Sequence, residues 1–148
     1  MLEEEERLAS AIRNAEKLHG HLGPFLVIGV RMGNVAKRVL NADSEEDNRL
    51  RATAKMPLFT PFSCVLDGIQ ATTRCTVGNQ KLRIEDSRER NVTVHFELQN
   101  LNRALKISVN PEIIETLMNR ISEGASNEEL AQETASMPET QLFSIEKR

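Results

Sequence analysis

KLRIEDSRERNVTVHFELQNLNRALKISVN, Lys81 to Asn110, decides the fold class. Three segments of alternating apolar and polar residues, KLRIEDS, NVTVHFELQ and ALKISVN, follow one another with only SRER and NLN between them. A period of two marks strands, and connections this short join antiparallel neighbours rather than crossing over a sheet. Within the second strand His95 lies between Val94 and Phe96, which places it on the opposite, solvent-side face.

Upstream, RATAKMPL reads as a fourth strand, preceded by the polar loop NADSEEDNR. Helical spacing governs the rest. Leu8, Ala11, Ile12, Ala15 and Leu18 form one stripe of a helix over Leu2–Leu18 that opens on acidic residues and ends near His19-Gly20. Pro24 tolerates a first helical turn, and the helix it starts runs to about Leu40, apolar all round in its first half and therefore central. Thr60 as N-cap and Pro61 as first helical residue would put Cys64 in the first turn of a helix lasting to Thr73, followed by the turn VGNQ. From Pro111, Ile113, Ile114, Leu117, Met118 and Ile121 recur at helical spacing up to Gly124. A short helix capped by Ser126 or Asn127 comes next, and LFSIE in the tail can pair as an edge strand. This order is no βαβ series, and it predicts a single α+β domain over 1–148 with a mainly antiparallel or mixed sheet of about four strands, covered on one face by helices.

Composition narrows the function classes. A chain of 148 residues, 39% hydrophobic, buries roughly two-thirds of its unfolded surface and needs no disulfides. Cys64 and Cys75, 11 residues apart, match neither a zinc hook nor a redox CxxC pair. With no long apolar run and an N-terminus reading MLEEEER, a membrane span or targeting peptide is not expected, and the cytoplasm is the default location. A net charge of −3 without Trp or Tyr argues against nucleic acid as a partner.

Two stretches carry candidate chemistry. In His19-Gly20-His21 two of the three histidines stand at i and i+2, with a glycine that lets the backbone bend. They form either a two-nitrogen metal grip or a helix-end cap beside an exposed ring. Cys64 at a helix start is either a small core residue or a thiol whose ionisation the helix favours, and Asp67 at i+3 shares its face as an orienting group or proton acceptor. Cys75, about 16 Å farther along a straight helix, is read as a core or supporting thiol. The turn Val77–Lys81 lacks P-loop spacing and a preceding strand, so it gives little support to a phosphate cradle.

Taken together, HGHLGPFLVIGVRMG and FSCVLDGIQATTRCTVGNQKL resemble the two signature blocks of the FmdE family, named for the E component of formylmethanofuran dehydrogenase in methanogens, over roughly residues 8–85. The family pattern is approximately HGHxCPGxxxGxRxG followed by CxxDAIQxxTGCTxGKGNL. The resemblance implies that His19, His21 and Cys64 surround a metal, zinc or another first-row ion, and that Asp67, Gln70 and Cys75 line or support that pocket. It also implies an α+β fold related to the catalytic domain of glyceraldehyde-phosphate dehydrogenase and a homodimer. Three protein ligands leave a coordination position open for chemistry on a small molecule, with Asp67 as acid/base or orienting group and Arg74 or Lys81 holding an anionic substrate. The alternative is an accessory subunit or metal carrier for formylmethanofuran dehydrogenase. Gly23 stands where the family has Cys, Gly68 where it has Ala and Arg74 where it has Gly, and the tail lacks the zinc-binding cysteines that some members carry.

Overall fold

The computed structural model describes residues 2–42, 49–99 and 101–148, so most of the expected loop at 41–49 and Asn100 of the NLN loop lie outside the described residues. Helix α1, Leu2–His19, carries Glu3, Glu4 and Glu5 in its first turn and Lys17 and His19 in its last, a charge order that suits the helix dipole. It stops at Gly20, whose φ of +100° only glycine adopts freely and whose N–H returns to the Glu16 carbonyl at 2.7 Å. Helix α2, Pro24–Val39, follows, then strand β1, Leu50–Met56, and helix α3, Cys64–Thr73. Strands β2, Leu82–Asp86, β3, Thr93–Leu98, and β4, Arg103–Val109, precede helices α4, Pro111–Ser122, α5, Asn127–Ser136, and α6, Glu139–Leu142. Strand β5, Phe143–Lys147, ends the chain.

The sheet has five strands in the order β2-β1-β3-β4-β5. Its fifth member is the tail segment, paired antiparallel along the β4 edge with Ile107 opposite Ile145. β1 and β2 run parallel, with Ala54 opposite Ile84, because the chain leaves β1 through α3 and must re-enter in the same direction. The other pairings are antiparallel. The sheet is thus mixed, and the α+β class holds.

One sheet face is buried. Ala52, Ala54 and Met56 of β1, Val94, Phe96 and Leu98 of β3 and Leu105, Ile107 and Val109 of β4 join Phe25, Ile28, Met32 and Val35 of α2 and Ile113, Ile114 and Leu117 of α4 in one core. Their alternating partners, His95 among them, face outward. α1 lies outside this core on a second, smaller cluster in which Ala15 meets Leu26 and Val30 of α2, flanked by Leu8, Ala11, Ile12 and Ala71. Leu18, expected on the same stripe, is 57% exposed.

α2 and α3 pack in close contact. A Cβ on Gly29 would stand 2.1 Å from the Val65 carbonyl oxygen, and one on Gly68 would stand 2.4 Å from that of Leu26. Gly33, one turn beyond Gly29, rests against the Thr72 side chain in the same way. The helices therefore touch backbone to backbone, which accounts for Gly68 at a position where the family pattern has Ala.

Candidate functional site

Helix α3 starts at Cys64, three residues later than its sequence suggests. Residues 60–63 form a turn in which the Ser63 N–H reaches the Phe59 carbonyl and the Cys64 N–H reaches that of Pro61, so neither Thr60 nor Pro61 takes its expected helical role. Cys64 is nonetheless in the first turn, 7% exposed, with Asp67 one turn on. Ionisation of its thiol is not favoured as the helix start alone predicts. Burial pushes the Cys64 pKa up, the negative charge of Asp67 pushes it further, and only the thiol's backbone hydrogen bond pulls the other way.

His19, the last residue of α1, lies over α3, whose Ala71 packs against the same small cluster as α1. Its Nδ1 stands 2.7 Å from Asp67 Oδ2, and because an ionised carboxylate only accepts, the ring N–H is on Nδ1 and donates. Gln70 Nε2 donates to the other carboxylate oxygen at 3.0 Å, and Gln70 Oε1 accepts from the Val77 N–H at 3.2 Å. Both oxygens of Asp67 are thus engaged, one holding the imidazole and one held by the amide. His19 Nε2, the remaining nitrogen, is buried without a hydrogen-bond partner. Beyond Gly20 the chain brings the exposed His21 ring back to 4.5 Å from that of His19, centroid to centroid.

A histidine with Nδ1–H on a carboxylate and a free lone pair at Nε2 is the arrangement that metal-ligating histidines adopt. By residue type the donors suit a first-row metal: two imidazoles side by side and, at the start of α3, a buried thiol whose proton an ion would displace. Among the described residues, no three His, Cys, Asp or Glu side chains are gathered closely enough to hold one ion.

The other expected site residues lie elsewhere. Arg74, in the left-handed conformation at φ 63°, ends α3. Cys75 beyond it is 1% exposed, and its Sγ donates to the Leu50 carbonyl at 3.3 Å. Burial raises its pKa as well, against smaller lowering effects from the Thr73 hydrogen bond and from Lys81 and Arg51. Arg74, Cys75 and Lys81 line a cleft of about 1150 Å³ between α1, α2 and the 74–81 turn, whereas among the described residues His19, His21, Cys64, Asp67 and Gln70 do not line it. Gln70 connects the two regions through Val77. Sequence reasoning did not single out Arg7, Arg31, Lys37 and Arg38, which also line this cleft, since cations scattered over two helices carry no local signature.

The class of protein is thus an α+β domain that holds a half-buried histidine over a helix-borne carboxylate. The chain belongs to the FmdE family, described as "FmdE, Molybdenum formylmethanofuran dehydrogenase operon", whose profile matches residues 18–144. A solved FmdE-like protein of the tungsten formylmethanofuran dehydrogenase type, from Syntrophus aciditrophicus, has the same fold, with a TM-score of 0.67 at 16% identity, covering 95% of this chain and 71% of that one. A protein of Archaeoglobus fulgidus described as "Probable S-adenosyl-L-methionine-binding protein" is 30% identical over 80 residues, 53% of this chain. The match spans only 21% of that relative's length. Among the described residues no helix is long and apolar enough to cross a membrane.

Proposed function

We propose that the protein is a metal-dependent pocket protein in which His19, His21 and Cys64 hold zinc or another first-row ion and act on a small molecule. The reading rests on one observation above the rest: His19 presents a buried, unpartnered Nε2 while Asp67 fixes its Nδ1. Bound there, the metal would supply Lewis-acid chemistry, polarising a carbonyl or acidifying a water. Asp67 acts through His19 as a positioning residue, because both of its oxygens are committed. Cys64 gives up its proton on binding, so metal uptake releases protons and strengthens as pH rises. S-adenosyl-L-methionine, named for the Archaeoglobus relative, is the first small molecule to try. The proposal includes a homodimer, checked by light scattering, and a cytoplasmic location.

A second reading is an accessory subunit or metal carrier for formylmethanofuran dehydrogenase, which the family's operon description favours. The test is metal analysis by plasma mass spectrometry on untagged protein prepared without chelator. The first reading expects about one ion per chain, absent from Cys64→Ser and His19→Ala and retained in His95→Ala. Failure of the wild-type protein to take up metal after reconstitution removes it, and capture of dehydrogenase subunits would then support the second.

A further inference from the structure

Apart from its two histidines, HGHLGPFLVIGVRMG holds one ionisable side chain, Arg31, to which the metal reading gives no part. Arg31 Nη1 donates to the Thr134 carbonyl at 2.9 Å and to that of Met137. Both acceptors belong to the end of α5, where Thr134 lies in the last turn and Met137 is the C-cap. That end has no backbone closure of the glycine type. Met137 is extended, at φ −67° and ψ 137°, and Pro138 has no N–H to return to the last carbonyls. Arg31 provides donors in their place, and a cation at a helix C-terminus also suits the dipole. Burial lowers the Arg31 pKa and Glu139 raises it, while a guanidinium stays charged throughout.

The fastening matters because the apolar contact of α5 is small. In NEELAQETAS only Leu130, Ala131 and Thr134 are buried, and the Thr134 hydroxyl is already engaged, donating to the Leu130 carbonyl at 2.7 Å. α5 packs on α2 and runs in the same direction. At its start Asn127 Oδ1 stands 3.7 Å from where a Cβ on Gly23 would lie, and at its end Arg31 reaches across from about two turns farther along α2. α5 therefore backs the residues that follow His19 and His21 at one end and is tied to α2 at the other.

We propose that Arg31 is a positioning residue for the His19-Gly20-His21 turn: it fastens the end of α5 to α2, and α5 in turn holds Asn127 behind Gly23. Arg31 acts through α5 and not on a ligand, so the assignment stands whether or not an ion is bound.

Hydrogen–deuterium exchange on the metal-free chain tests it. In Arg31→Met the amides of 128–137 and of 20–27 should exchange about tenfold or more faster, while those of β1, β3 and β4 keep their wild-type rates. Arg31→Lys, which can still donate to a carbonyl, should lie between the two. Arg38→Met breaks only an exposed ion pair, in which Arg38 Nη2 is 2.9 Å from both Glu139 oxygens, and should leave exchange unchanged. Sheet amides accelerated by the same factor would make Arg31 a general support of the fold, and faster exchange in α5 alone would cut its link to the histidine turn. Either result overturns the proposal, as do unchanged exchange in α5, an equal effect from Arg38→Met, or an Arg31→Lys variant no better protected than Arg31→Met.

Discussion

Gly29 and Gly68 face each other across the α2–α3 contact so closely that a side chain on Gly68 would stand 2.8 Å from the Gly29 Cα and 2.4 Å from the Leu26 carbonyl oxygen. Both clashes are with backbone, which cannot rotate aside. Gly68→Ala must therefore push α3 off α2, and although Ala is the better helix former, a loss of about 1–3 kcal/mol is expected. Chemical denaturation checks it, and an unchanged midpoint would mean that the helices sit farther apart.

Asp67 fixes the His19 ring that offers Nε2, so Asp67→Asn should lower metal affinity by about 10–100-fold while leaving the fold intact. Competition with a chromophoric chelator reads this directly. Asp67→Glu, which keeps the charge and acceptor oxygens, should recover part of the loss; identical behaviour of the two variants would show that Asp67 does not act through His19.

Gly23, at the N-cap of α2, has extended backbone at φ −159°, and a Cβ there would lie 3.7 Å from Asn127 Oδ1, an ordinary contact. Gly23→Cys restores the family's thiol without steric cost. Stability within about 1 kcal/mol of the parent and tighter zinc binding are the expected outcomes, read by thermal melts and the same chelator assay. A marked drop in melting temperature would show that α5 packs too closely to admit a side chain.

Cys75 titrates at 9.0 when unperturbed and higher in the folded chain, chiefly because it is buried. The folded state thus favours the protonated thiol. Its contribution to stability is fully present below pH 9.0 and is lost as pH rises from there through the folded-state value. Cys75→Ala should flatten the alkaline limb of the stability–pH curve, measured by urea denaturation from neutral pH upward; an unchanged slope would exclude Cys75 as its source.

Local pattern sufficed for the elements whose partners lie nearby in sequence. The alternation in Leu82–Asp86, Thr93–Leu98 and Arg103–Val109 marks strands whatever surrounds them, Pro24 and Pro111 open helices where no N–H is needed, and Ser126 caps its own helix by accepting from the Glu129 N–H. LFSIE was legible as an edge strand for the same reason, and the strand that forms is Phe143–Lys147. The HGH and CxxD stretches were legible as candidate chemistry because rare residue types stand at informative spacing.

What depends on residues distant in sequence was decided by the tertiary structure. The parallel entry of β2 follows from where α3 carries the chain, and the glycine contact exists only once α2 and α3 dock. The 2.7 Å approach of His19 to Asp67 joins residues 48 apart, and it leaves Nε2 buried by packing that no local pattern encodes. Burial also overrode the helix-start effect at Cys64, since desolvation depends on what folds over the thiol. The cleft was illegible for the same reason: Arg7, Arg31, Arg74 and Lys81 line one space only when two helices and a turn meet around it.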